Sequence, residues 1–266
     1  MECSAMKRSV ALIVLILVAG CAGFGKEVDP TVNWSARQLY IDAKENLDAQ
    51  NYEKAIKQYE RLQARFPFDR YALQGEIDIA YAYYKQNEVE ATVAATERFI
   101  KMHPENSNVD YAYYLKGLVH FNQDVGVMGK LTNQDQAERD PKAARDSFDA
   151  FKELSTRFPN SKYTPDAIAR MKYLVNMLAE HEVKVANFYY RRTAYVAAAG
   201  RARAALENYP QAPAIEEALF ILVKSYDALG MTELRDDADR VMRKNFPNSD
   251  YLKRGLKDQA WWKFWN

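Results

Sequence analysis

Two cysteines and three histidines carry the most versatile side-chain chemistry in this chain, and of the five only Cys21 stands in a pattern. Val18-Ala19-Gly20-Cys21 ends an unbroken apolar run from Val10 to Val18, which Lys7 and Arg8 precede. A basic start, a short apolar middle and small residues before a cut describe an export signal. Nine apolar residues rise only about 14 Å as a helix, too short for a bilayer core of about 30 Å. Met6-Lys7-Arg8 opens such a signal more naturally than Met1-Glu2-Cys3, so Met6 is the expected start. Small residues directly ahead of Cys21 resemble the bacterial lipobox, in which the thiol is lipidated and the chain is then cut before it. Several acyl chains, at about 0.8 kcal/mol per buried CH₂, anchor far better than one. An aspartate after the cysteine generally favours inner-membrane retention in Gram-negative lipoproteins. Here that residue is Ala22, so the expected place is the outer membrane, on its periplasmic face.

The remaining candidates for chemistry do not assemble. His103, His120 and His181 are scattered and have no metal-ligand spacing. His103 precedes a proline and reads as structural, and Glu180-His181-Glu182 reads as an exposed helix face. Gly126-Val127-Met128-Gly129 lacks the strand and helix of a phosphate loop, and no G-x-S-x-G occurs. No catalytic residue, metal site or cofactor is expected, and the chain does not read as an enzyme. With residues 1–20 removed, 35 basic and 35 acidic side chains remain, so nothing in the charge balance calls for a nucleic-acid partner. Cys3 leaves with the signal, and Cys21, carrying lipid, has no thiol with which to form a disulfide.

An internal repeat organises the rest. An aromatic residue or histidine stands before proline five times, at Phe66-Pro67, His103-Pro104, Phe158-Pro159, Tyr209-Pro210 and Phe246-Pro247, at spacings of 37, 55, 51 and 37. Each proline ends a helical pattern, because it has no N–H to donate and restricts its predecessor. Upstream, Ala55, Tyr59, Leu62 and Phe66 lie at offsets 0, 4, 7 and 11, one face of a helix. Ser147, Phe151, Leu154, Phe158 and Ala198, Ala202, Ala205, Tyr209 repeat the pattern. Thr92, Thr96, Phe99, His103 is a weaker copy, and Arg235, Asp239, Met242, Phe246 is degenerate, as terminal repeats are. An apolar helix precedes each, with Ala43 facing Ala55 in the first unit. The expected fold is therefore all-α, a tetratricopeptide-repeat (TPR) superhelix of about five helix–turn–helix units. Residues 164–192 read as one extended helix or two closely joined ones.

At this level the motifs resemble a family. Arg65-Phe66-Pro67-Phe68, Ile79-Ala80-Tyr81-Ala82-Tyr83-Tyr84-Lys85, Arg98-Phe99-Ile100 and Asp110-Tyr111 with Gly117-Leu118 are similar to BamD, the TPR lipoprotein family of the outer-membrane β-barrel assembly machinery. So are Arg139-Asp140-Pro141 with Ala144-Arg145, and Tyr163-Thr164. The resemblance runs from the lipobox to about Pro210 and thins beyond Gly230. It implies a scaffold of the BAM complex that binds the aromatic C-terminal signals of unfolded outer-membrane proteins through its N-terminal repeats. It also implies docking of the C-terminal repeats to the POTRA domains of BamA and to the BamC and BamE lipoproteins. Arg201, ahead of the fourth stop, matches a family arginine at the BamA contact, and Arg192 matches another basic position. Trp261-Trp262-Lys263-Phe264-Trp265 departs from the family pattern.

In a TPR stack the first helices line the concave face, which places Arg37, Tyr40 and Lys44 of the first repeat with Gln74, Tyr81 and Tyr84 of the second in a peptide groove. Tyrosines there offer rigid contact area and basic groups receive a carboxylate; packing between repeats is the other reading of Tyr81 and Tyr84. The expected organisation is a cleaved signal at 1–20, a lipidated linker at 21–34, a substrate-binding half at 35–162, a partner-binding half at 163–250 and an aromatic tail at 251–266. Residues 122–140 form either a partner-binding loop or a tolerated insertion. The tail either caps the last repeat, binds a partner or meets the bilayer interface. A different periplasmic TPR lipoprotein, associated with peptidoglycan or its synthases, is the alternative function. A murein-cleaving enzyme is disfavoured because repeats occupy nearly all of the mature chain.

Overall fold

The computed structural model describes residues 29–125 and 140–256. The signal, Cys21 and most of the linker, most of the 122–140 loop and the tryptophan-rich end of the tail lie outside the described residues. Among the described residues are eleven helices and no strand. Ten of them form five pairs: α1 (Ala36–Asp48) with α2 (Tyr52–Arg65), α3 (Arg70–Lys85) with α4 (Val89–Met102), α5 (Val109–Val125) with α6 (Lys142–Arg157), α7 (Thr164–Arg191) with α8 (Tyr195–Asn208), and α9 (Ile215–Ala228) with α10 (Thr232–Asn245). A short α11 (Asp250–Arg254) closes the row against α9. Each of the ten paired helices packs on the next in chain order, the all-α TPR arrangement read from the sequence.

The stops are alike in backbone geometry. Phe66, His103, Phe158, Tyr209 and Phe246 each cap a second helix with φ between −134° and −129° and ψ between 49° and 62°. The following proline forces this conformation by excluding its predecessor from the helical region. The freed carbonyl then accepts from the N–H three residues on, that of Asp69, Asn106, Ser161, Ala212 or Ser249, at 3.0 to 3.1 Å. The turns within the first, second, fourth and fifth pairs are equally uniform. Gln50, Asn87, Thr193 and Gly230, each two residues before a second helix, all have φ between 60° and 69°.

Burial follows the offsets. Ala55, Tyr59 and Leu62, then Thr92, Thr96 and Phe99, then Ser147, Phe151 and Leu154, then Ala198, Ala202 and Ala205 are all 0 or 1% exposed. The polar members are satisfied by backbone carbonyls. Thr92 Oγ1 donates to the Glu88 carbonyl at 2.7 Å, Thr96 Oγ1 to that of Thr92 at 2.9 Å, and Ser147 Oγ to that of Gly117 at 2.9 Å. In the fifth copy Met242 is buried, whereas Arg235 and Asp239 turn to surface ion pairs with Asp227 at 3.0 Å and Arg243 at 2.6 Å. Close approach between helices is made where a ring meets a glycine, Tyr59 against Gly75 and Phe151 against Gly117.

Residues 164–191 form one continuous helix, and this α7 serves two cores. Ala167, Leu174, Met177 and Leu178 belong to the core of the second and third repeats, while Ala179, Val183 and Ala186 belong to that of the fourth and fifth.

Candidate functional site

Neighbouring repeats are stitched along their first helices by side-chain hydrogen bonds. Tyr40 of α1 and Tyr59 of α2 both donate to Asp78 Oδ2 of α3, each at 3.1 Å, and Gln74 Nε2 donates to Asp78 Oδ1 at 3.2 Å. Burial pushes the Asp78 carboxyl above the usual range, and the hydrogen bonds and nearby Lys44 oppose it. Burial also raises the Tyr40 and Tyr59 hydroxyls, and the Asp78 charge adds to it. Between α3 and α5, Asn108 Nδ2 donates to Gln74 Oε1 at 3.0 Å and Asn122 Nδ2 to the Tyr84 hydroxyl at 2.7 Å. Between α5 and α7, the Tyr114 hydroxyl donates to Asp166 Oδ2 at 2.7 Å. Asn187 and Tyr251 both donate to Glu217, joining α7, α9 and α11.

Of the groove residues expected from the sequence, Tyr40 and Gln74 meet at Asp78, and Tyr81 lies 6.4 Å from Tyr84, centroid to centroid. Tyr81 packs against the first two cores and Tyr84 against the second, and both stay half-buried. Lys44 pairs with Asp48 at 3.1 Å, and Arg37 is exposed with no ion pair among the described residues. Sequence reasoning missed Asp78 and a second cluster farther along. Tyr114 stacks on Tyr163 at 4.8 Å, Phe121 lies 5.8 Å from Tyr173, and the Arg170 guanidinium sits 4.6 Å from the Phe121 centroid. Tyr111-x-x-Tyr114 repeats the spacing of Tyr81-x-x-Tyr84 one repeat on, a signal present in the sequence.

The two expected partner-contact arginines stand apart. Arg201 of α8 reaches Glu182 Oε2 of α7 at 3.0 Å, and Arg145 of α6 reaches Glu182 Oε1 at 3.5 Å. Glu182 is only 5% exposed, which corrects the expectation that Glu180-His181-Glu182 is an exposed face. Two guanidiniums on one buried carboxylate offset its desolvation, and they clasp the third repeat to the fourth. The Arg201 side chain stays 45% exposed, so it has a free flank. Arg192 caps α7 ten residues beyond Glu182, about 15 Å along the axis, with its guanidinium 4.5 Å from the Phe188 centroid. A cavity of about 580 Å³ lies between α4, α5 and α6, lined by Val93, His120 and Asp146 among others, and shares no residue with either arrangement.

Five paired units, stitched repeat to repeat and lined with tyrosines, define a TPR scaffold. The family model described as "YfiO: Outer membrane lipoprotein" matches residues 33–242. Outer membrane protein assembly factor BamD of Neisseria meningitidis serogroup A is 44% identical over 98% of this chain and 100% of its own length. That of Vibrio cholerae serotype O1 is 37% identical over 88% of this chain and 96% of its own length. The chain belongs to the BamD family of outer membrane protein assembly factors, and its role lies in outer membrane protein assembly. Among solved structures it is similar to a thermophilic TPR protein from Thermus thermophilus, at TM-score 0.35 and 13% identity over 82% of this chain and 95% of that one. Among the described residues no helix is long and apolar enough to cross a membrane.

Proposed function

We propose that the chain is an outer-membrane-anchored periplasmic scaffold of the β-barrel assembly machinery. Lipid on Cys21 holds it to the membrane. The first-helix face of the N-terminal half takes the C-terminal signals of unfolded outer-membrane proteins. The C-terminal half docks the POTRA domains of BamA through Arg201 and Arg192, with BamC and BamE as further partners. The observation that carries this reading is the row of half-buried tyrosines along the first helices, among which Tyr40 is held by Asp78, Tyr84 by Asn122 and Tyr114 by Asp166. Fixed rings with polar tips give contact area to an extended peptide at little entropic cost. Arg201 supports the second half of the reading, since Glu182 pre-orients it while leaving one flank to solvent.

The partner contact is tested with the full-length lipidated chain in detergent and isolated BamA POTRA domains. Arg201→Ala and Arg192→Ala are each expected to weaken capture by roughly tenfold. Unchanged capture by both variants removes the assignment. Arg201→Glu is a poor probe, because it sets a second carboxylate against buried Glu182 and lowers stability by several kcal/mol on its own.

A further inference from the structure

We infer that Arg170, in the fourth repeat, receives the terminal carboxylate of a peptide bound on the first-helix face, so that the peptide's carboxyl end lies on α5 and α7 and its chain runs back toward α1. This deepens the peptide-groove reading and rests on it.

The cations on that face differ in how they are held. Arg37 is exposed, with no ring or carboxylate among the described residues to fix it, so an anion binding there loses the entropy of ordering both partners in water. Lys44 is tied to Asp48 at 3.1 Å. The polar centre beside it is itself a carboxylate, Asp78, whose oxygens already take three donors. A second carboxylate arriving there meets repulsion and finds no donor waiting.

Arg170 is placed differently. It donates Nε to Asp166 Oδ2 at 2.6 Å, and the Tyr114 hydroxyl donates to the same oxygen at 2.7 Å. Its guanidinium stands 4.6 Å from the centroid of Phe121. The ion pair, the Tyr114 hydroxyl and the ring together fix its plane, and the bond to Asp166 is made through Nε, so the Nη edge is not spent on that carboxylate. A fixed planar fork is the arrangement that binds carboxylates bidentately. Aromatic surface surrounds it. Tyr114 and Tyr163 stack at 4.8 Å with 18° between planes, and Tyr173, 42% exposed, stands 5.8 Å from Phe121. A terminal carboxylate with an aromatic ring beside it matches this combination of fork and rings. Among the described residues no equivalent combination exists around Arg37 or Lys44.

The test measures binding of a fluorescein-labelled decapeptide of alternating polar and aromatic residues that ends in phenylalanine, as the free acid and as the C-terminal amide. The full-length chain in detergent is titrated and anisotropy is read. Wild type is expected to prefer the acid by roughly tenfold, the worth of a charge-assisted pair. Arg170→Gln keeps the aliphatic stem on Phe121 and is expected to bring the ratio to about one while leaving amide affinity unchanged. Arg37→Gln and Lys44→Gln are expected to keep the preference. Persistence of the preference in Arg170→Gln, or its loss in Lys44→Gln or Arg37→Gln, overturns the assignment. Equal binding of acid and amide by wild type also overturns it but spares the groove. Failure of both peptides to bind wild type removes the groove itself.

Discussion

Asp78 gathers the hydroxyls of Tyr40 and Tyr59 and the amide of Gln74, so three repeat elements lean on one side chain. Tyr59 is fully buried, and its hydroxyl has nowhere else to turn when that acceptor goes. Asp78→Ala is therefore expected to lower the unfolding free energy by about 2 kcal/mol in urea denaturation. Asp78→Asn should cost less, because an amide oxygen still accepts and the desolvated charge is gone; equal losses would show that charge, not acceptance, matters. His120 poses the opposite problem. Burial on the wall of the α4–α5–α6 cavity holds its imidazole below the ordinary 6.5, with Lys116 and Lys142 reinforcing the shift and Asp146 and Gln123 opposing it. Its Nδ1 has no hydrogen-bond partner among the described residues. The fold thus resists a proton that the unfolded chain accepts, so this contribution is present above about pH 6.5 and is lost as pH falls toward the folded value. Denaturation midpoints measured from about pH 7.5 down to about pH 5 should fall more steeply in wild type than in His120→Gln. Parallel slopes would remove His120 as the cause.

Glycine in mid-helix costs stability unless something presses on it, and in α5 something does. A Cβ on Gly117 would stand 2.4 Å from Phe151 Cε1 and 2.5 Å from Cδ1, and Phe151 is fully buried and has no room to withdraw. Gly117→Ala is expected to destabilise by about 3 kcal/mol, and Phe151→Leu in the same chain to recover part of it. At Gly75 the nearest atom, Tyr59 Cδ1, is 2.9 Å away, so Gly75→Ala should cost less. A smaller loss at Gly117 than at Gly75 would contradict this packing account. Contacts of this kind explain what the sequence disclosed and what it hid. The stops and the offsets were legible because proline geometry and helical period act within a dozen residues. Glu182 was not, because its partners Arg145 and Arg201 lie 37 and 19 residues away, and α7 is covered on that side by two different helices. The second aromatic cluster depends likewise on Tyr114 meeting Asp166 across 52 residues. Its Tyr-x-x-Tyr spacing was visible, but only the packing of α5 on α7 gives that spacing a partner.

A row of repeats in which each touches only its neighbours has stability that is nearly a sum of local terms, so cooperativity depends on elements shared between units. α7 is such an element. Its first half buries Ala167, Leu174 and Leu178 in one core and its second half buries Ala179, Val183 and Ala186 in the next, while the Glu182 clasp joins α6 to α8 across it. Local unfolding of one core must therefore fray the helix that completes the other. Glu180 is exposed and lies at the changeover, so replacing it disturbs the helix without removing a buried side chain. Glu180→Pro deletes one backbone bond and sets the ring against the carbonyl of Asn176, a cost of about 3 kcal/mol in a helix interior. Its larger effect should be on coupling. Wild type is expected to lose hydrogen-exchange protection in α1–α4 and in α8–α10 at a common urea concentration, and Glu180→Pro to split this into two midpoints. A common midpoint retained in the variant would mean that the continuity of α7 does not couple the two cores, leaving the side-chain stitching between repeats to do so.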